Sequence, residues 1–154
     1  MAGPLVVEKP QDLEQHIGKD LGPSDWMVVD QSMIDKFADA TGDHQWIHVD
    51  VERAKREMPG GQTIAHGYLT LSLVPRLAST LVKVTQVSRG VNYGSNKVRF
   101  TNMVTVGSRV RARQKLTAVE PRAGGMQLTN EVTIEIDGQQ RPACVAETIS
   151  LIYK

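Results

Sequence analysis

Gly67-Tyr68-Leu69-Thr70-Leu71-Ser72-Leu73-Val74-Pro75-Arg76-Leu77-Ala78-Ser79-Thr80-Leu81-Val82-Lys83-Val84 is the stretch on which the fold turns. Drawn as a helix, it is apolar around most of its circumference, the pattern of a helix enclosed on nearly all sides. Pro75 removes one backbone donor inside it and predicts a kink. Downstream the period changes. Lys97-Val98-Arg99-Phe100, Arg109 to Glu120, Met126 to Ile136 and Pro142 to Tyr153 alternate in the manner of strands. Gly124-Gly125 and Asp137-Gly138 are turn signals between them. Asn92-Tyr93-Gly94 reads as a turn leading into the first, shorter strand, with Tyr93 able to line a pocket.

Upstream, Pro10 to Ile17 predicts a short helix and Asp25 to Val29 a short strand after the Gly22-Pro23 turn. Ser32 precedes a helix that places Ile34, Phe37 and Ala38 on one face and stops at Gly42. Asp50 caps a further helix, Val51 to Glu57, whose charges mark a solvated surface. An antiparallel sheet has one face to bury, and the apolar helix has surface to cover. The economical arrangement is a curved sheet wrapped around the helix, an α+β hot-dog fold. No linker or repeat divides the chain, so residues 1–154 are expected to form one such domain. The sheet edges call for cover, which predicts a homodimer.

Composition removes several function classes. Lys and Arg number 18 against 17 Asp and Glu, a formal net charge of +1, so nothing favours nucleic acid or an anionic membrane as partner. The lone cysteine, Cys144, allows no intrachain disulfide and has no His beside it, so it reads as structural. The N-terminus lacks the charged-then-apolar build of a signal peptide, and no apolar run is long enough to span a bilayer. The expectation is a cytoplasmic protein without membrane insertion.

Phe37-Ala38-Asp39-Ala40-Thr41-Gly42-Asp43-His44-Gln45-Trp46-Ile47-His48 is where chemistry concentrates. Asp43 and His48 lie five residues apart, and on a continuous helix they diverge by more than a third of a turn. Gly42 can break that helix and let the carboxylate and imidazole face one water molecule; the alternative is a cap and a packed histidine. His66-Gly67 opens the apolar helix, where amides have no internal partner. The Gly67 amide is suited to an oxygen that gains negative charge during reaction, or else the glycine merely permits tight packing. Trp46 could lid a pocket or bury its ring. His44 and His48 share a helical spacing, yet a metal site would need His66, Asp43 or Asp50 as third ligand and lacks the glutamate of a zinc-hydrolase motif, so no metal is expected. Arg109, Arg111, Arg113 and Lys115 share one strand face. They read as a solvated guard against edge pairing, with contact to a phosphate-bearing ligand tail as the alternative. Lys97 and Arg99 carry the same two readings.

Together these residues resemble the MaoC-like, (R)-specific enoyl-CoA hydratase family. The resemblance rests on Phe37 through His48, on Thr63-Ile64-Ala65-His66-Gly67-Tyr68-Leu69, and on Asn92-Tyr93-Gly94 through Val98-Arg99-Phe100 with Val106-Gly107-Ser108. It implies a dimeric hot-dog protein that adds water reversibly across the trans-2 double bond of an acyl thioester, giving the (R)-3-hydroxyacyl product. Asp43 and His48 would activate the water and Gly67 would bind the thioester oxygen. Trp46, His66, Tyr93 and Lys97 are the further residues expected near substrate. No cofactor is implied, coenzyme A entering as part of the substrate, which is an acyl-CoA or acyl-carrier-protein thioester. Where the family motif often has Asn-Pro, this chain has Gln45-Trp46, which bears on loop stiffness and pocket shape. A hot-dog thioesterase, or a thioester-binding or dehydratase subunit that requires a partner, are the competing readings.

Overall fold

The computed structural model describes residues 3–154. Its largest unit is a six-stranded antiparallel sheet built on three long strands. These are β6 (Arg109–Arg122), β7 (Gly125–Ile136) and β8 (Cys144–Tyr153). The strand β5 (Arg89–Arg99) closes one side by pairing with β8. On the other side β2 (Asp20–Leu21) and β3 (Met27–Val28) both pair with β6. Alternation decides the burial: Val110, Ala112, Val132, Ile134 and Ala146 point inward and are almost fully enclosed.

Against that inner face lie α4 (Gly67–Ser72) and α5 (Val74–Ala78), consecutive helical segments joined at Leu73. Leu69, Leu73, Val74 and Leu77 enter the same core cluster as the sheet residues. This is the expected hot-dog arrangement, with two corrections. The helix ends at Ala78, and Val82–Val84 instead forms β4, parallel to β1 (Leu5–Val7). A run so short and apolar-rich fits a strand as well as a helix, and β1 supplies the pairing. The helix is also not enclosed all round: Tyr68, Ser72, Pro75 and Arg76 are exposed, because one sheet covers only one side. The break at Leu73 precedes Pro75, which has no amide for the carbonyl one turn earlier.

The upstream elements follow their caps. A 3-10 helix spans Pro10–His16 and covers a second apolar cluster of Leu13, Leu116, Val119 and Leu128. The helix α1 (Gln31–Thr41) is capped by Asp30, whose carboxylate accepts from the Met33 amide, so the start lies before the predicted Ser32. It stops at Gly42, which takes φ of 81° and donates its amide to Ala38. The short α2 (Trp46–Val49) follows, then α3 (Val51–Glu57), where Asp50 accepts from Arg53 as predicted.

Two surface readings change. Asn92-Tyr93-Gly94 is not an entry turn but lies inside β5, where the register with β8 shifts between Asn92 and Gly94. The charged face of β6 is neutralised across the sheet. Arg109 pairs with Asp137, Arg111 and Arg113 with Glu135, and Lys115 with Asp20. Arg111 also lies 4.2 Å over the Trp26 ring. The outer edge of β5 has no partner strand among the described residues, and nearly all of its side chains are exposed. No helix among the described residues is long and apolar enough to cross a membrane.

Candidate active site

The turn at Gly42 brings Asp43 and His48 to the mouth of α4. His48 is buried at 7 % exposure, while Asp43 stays at the surface. The extended segment Thr63–Ala65 runs beside α2, with the Ile64 amide donating to Ile47 at 3.0 Å and the Ala65 amide to Val104 at 2.8 Å. That pairing aims the Ile64 carbonyl at His48, whose Nδ1 lies 2.7 Å from it. A carbonyl only accepts, so Nδ1 carries the proton and a neutral His48 keeps its Nε2 lone pair free. Burial is the main influence on His48 and holds its pKa below the usual imidazole value; the Ile64 bond works against that, nearby His66 adds to it, and Asp43 opposes it.

Gln31 fixes this geometry from α1. Its side-chain nitrogen donates to the His48 carbonyl at 2.7 Å, and its oxygen accepts from Thr63 at 2.6 Å. Nothing in the local sequence marks Gln31, since its partners lie 17 and 32 residues away. His66 is buried behind His48, with ring centroids 3.8 Å apart and nearly parallel. Its Nε2 lies 3.0 Å from the Asp43 carbonyl.

A cavity of about 360 Å³ opens here, bordered by His48, Gly67, Thr70, Phe100, Asn102, Met103 and Arg141 among others. Phe100 lies so close over Gly67 that a Cβ at that position would sit 2.8 Å from the ring. Glycine permits the ring's approach, as the packing reading expects, and Gly67 is also among the residues that line the cavity. Phe100 ends a stretch that carries the family resemblance, though nothing there marks it as a site residue, and Asn102, Met103 and Arg141 come from loops distant in sequence. A larger groove of about 720 Å³ has Leu71, Val74 and Pro75 of the helical segments in one wall and sheet residues such as Leu116, Leu128 and Ile149 in another. It touches neither His48 nor Gly67, both of which line the smaller cavity, while Asp43 lines neither.

The remaining predicted residues fall in different places. Trp46 lies under the Arg53 guanidinium, 4.1 Å from the ring centroid, and borders neither cavity. Tyr93 is 57 % exposed on β5, with Arg122 5.0 Å over its ring. Lys97 is on the same strand, exposed, with φ of 53°. His44 turns outward to Asp39 at 2.9 Å, a hydrogen bond that raises its pKa. Burial pushes the Cys144 thiol up to about 11, so it is inert as a nucleophile.

Asp43, His48 and His66 bring ligating atoms within 4.8 Å of one another, which raises the question of a metal. The donor set does not fit one. His48 Nδ1 and His66 Nε2 are committed to carbonyls, and rings stacked face to face cannot aim their remaining lone pairs at a common centre about 2 Å away. What the arrangement can do is hold a water between a carboxylate and an imidazole lone pair, beside a backbone N–H.

Comparison with known proteins places the chain in a family. Residues 12–138 match the MaoC like domain family. The chain is 51 % identical over 143 residues to 3-hydroxyacyl-thioester dehydratase Z of Mycobacterium tuberculosis (strain ATCC 25618 / H37Rv), covering 92 % of this chain and 94 % of that protein. In fold it resembles a monoamine oxidase regulatory protein from Archaeoglobus fulgius, with a TM-score of 0.76 at 23 % identity over 99 % of each chain. It also resembles the (R)-hydratase from A. caviae involved in PHA biosynthesis, with a TM-score of 0.67 at 22 % identity over 87 % of this chain and 94 % of that one. A match over most of the length, and identity at half the aligned positions with a dehydratase, make this chain a member of the MaoC-like dehydratase family of enzymes.

Proposed function

We propose that the protein catalyses reversible dehydration of an (R)-3-hydroxyacyl thioester, which in reverse is hydration of a trans-2-enoyl thioester. The observation that carries this reading is the fixed tautomer of His48: with Nδ1 tied to Ile64, Nε2 keeps a free lone pair on a residue that borders the same cavity as Gly67 and has a ring nitrogen within 4.8 Å of the Asp43 carboxylate. In the hydration direction, His48 Nε2 takes a proton from the water while Asp43 holds the water's other hydrogen. The hydroxyl bonds to C3 and the double-bond electrons pass into the thioester. The resulting enolate oxygen receives the Gly67 N–H. The proton removed from water then returns to C2, so the residues end as they began. Dehydration reverses each step.

The thioester substrate class is supported by the relative named as a 3-hydroxyacyl-thioester dehydratase, and the (R) configuration by the likeness to an (R)-hydratase. The thiol part is coenzyme A or an acyl carrier protein, and the chemistry needs no resident metal or redox group. A homodimer is part of the reading. The open edge of β5, on which Tyr93 is exposed, is a surface suited to a second copy.

The test is hydration of crotonyl-CoA by the purified protein alone, followed by loss of enoyl absorbance. Asp43→Asn and His48→Gln should each lower turnover by about 10²-fold or more. Near-normal rates in both variants refute the proton-transfer roles of Asp43 and His48. Free thiol release without hydration identifies a thioesterase instead, and turnover only after a second protein is added identifies a dependent subunit.

A further inference from the structure

His66 takes no part in the chemistry above, yet it touches every element that performs it. We propose that His66 is the positioning residue of this site: an imidazole that donates from Nε2 to the Asp43 backbone and backs the His48 ring, so holding acid, base and the adjacent Gly67 amide in one arrangement. The inference deepens the reaction proposed above and rests on it.

Three contacts carry the argument. His66 Nε2 lies 3.0 Å from the Asp43 carbonyl, and because a carbonyl only accepts, the proton is on Nε2. That bond ties the short loop between α1 and α2, otherwise exposed, to the start of α4. The His66 ring then lies parallel to that of His48 at 3.8 Å, and the Phe37 ring meets it edge-on at 4.9 Å. His48 is thus held on two sides, by the Ile64 carbonyl at its Nδ1 and by a ring against its face. Since Gly67 follows directly in the chain, one side chain sets the position of all three groups.

The other ring nitrogen makes no such bond. His66 is 3 % exposed, and its Nδ1 is buried with no hydrogen-bond partner. The Nε2 bond to Asp43 is therefore the polar tie of this side chain, and the stacked His48 and edge-on Phe37 rings fix its plane.

Two measurements test this. In protein labelled with ¹⁵N at histidine, NMR should show the His66 proton on Nε2, hydrogen-bonded to a carbonyl. A His66 ring whose Nε2 carries no proton overturns the proposal. In parallel, H66F keeps a ring but loses the donor, and H66Q restores an N–H near the Nε2 position but loses the ring. H66F should lower kcat about 10²-fold, the scale of an ångström of misplacement. KM should change little, since substrate contacts remain. H66Q should recover at least about tenfold of that loss and keep the wild-type pH profile, because Asp43 and His48 still carry the proton transfer. A merely structural role would lower thermal midpoints without splitting kcat from KM, and it overturns the proposal, as does H66Q no better than H66F or an H66F with wild-type kcat. Should H66F fail to fold, H66Q and the spectrum of the unaltered protein decide. If that protein shows no hydratase activity, the reaction assigned above falls, while the NMR result still judges His66 alone.

Discussion

Replacing Gly67 by alanine separates the two purposes that this glycine serves. The backbone at Gly67 is helical, so alanine is allowed there and its higher helix propensity should favour the fold by about 1 kcal/mol. The added Cβ, however, would meet Phe100 Cδ2 at 2.8 Å, Cγ at 2.9 Å and Cε2 at 3.0 Å, well inside the 3.4 Å at which ordinary contact begins. Cγ is the root of the ring, so rotation about the ring axis relieves nothing and the whole ring must retreat. Overpacking of this kind costs about 1–3 kcal/mol. The net is a loss of about 1 kcal/mol, a fall in Tm of about 2–4 °C for a chain of this length. The catalytic effect should be far larger. A methyl beside the amide narrows the approach of the thioester oxygen, and loss of one such donor costs about 10²–10³ in kcat. The assay is crotonyl-CoA hydration together with thermal unfolding of G67A, F100A and G67A/F100A. In the F100A background the clash is gone, so G67A should become stabilising. Wild-type kcat in a folded G67A refutes an approach of the thioester oxygen past this Cα, and an unchanged stability cost in the F100A background refutes the packing argument.

Three further outcomes are expected. The kcat/KM for hydration should fall on the acid side of a midpoint below 6.5, because burial lowers the His48 pKa and the base must be neutral; a midpoint at or above 6.5 contradicts that environment. Partial burial pushes Glu135 upward, but the Arg111 hydrogen bond and the charges of Arg113 and Arg111 outweigh it and hold its pKa below the ordinary 4.5. Its contribution is therefore full above the unfolded-state value and lost as pH falls through the folded one. Glu135→Gln should lower stability by up to about 1 kcal/mol at pH 7, and the difference should vanish in acid unfolding curves once the pH is below the folded-state value of Glu135. Leu73→Ala removes a side chain at the centre of the core and should cost about 2–5 kcal/mol in a urea titration, with a smaller loss showing that the two helical segments close over the gap.

Elements with their own start and stop signals are legible in the sequence. Asp50 and the charges after it mark Val51–Glu57 to the residue, and Gly42 ends α1 where a left-handed position is needed. The alternation in β6 and β7 survives in the structure because one face of each is packed on the core. Errors arise where a distant partner decides. Val82–Val84 is a strand only because Leu5–Val7 lies alongside, and Asn92-Tyr93-Gly94 stays in β5 because β8 pairs through it. The Asp30 cap is masked by Ser32, which offers the same chemistry two residues later. The site divides in the same way. Asp43, His48 and Gly67 carry local cues, whereas Gln31, Phe100 and Arg141 reach the site only through the packing of separate elements.

Every group assigned to the reacting atoms lies between Asp43 and Gly67, on short helices and turns, and none is on the sheet. Reaction and scaffold are thus carried by different parts of the chain. Drift in the strands can remodel the walls against which a substrate tail rests without touching the proton-transfer machinery. The compact cassette from Asp43 to Gly67 can stay constant while neighbours diversify, a division of labour that lets one chemistry serve many substrates.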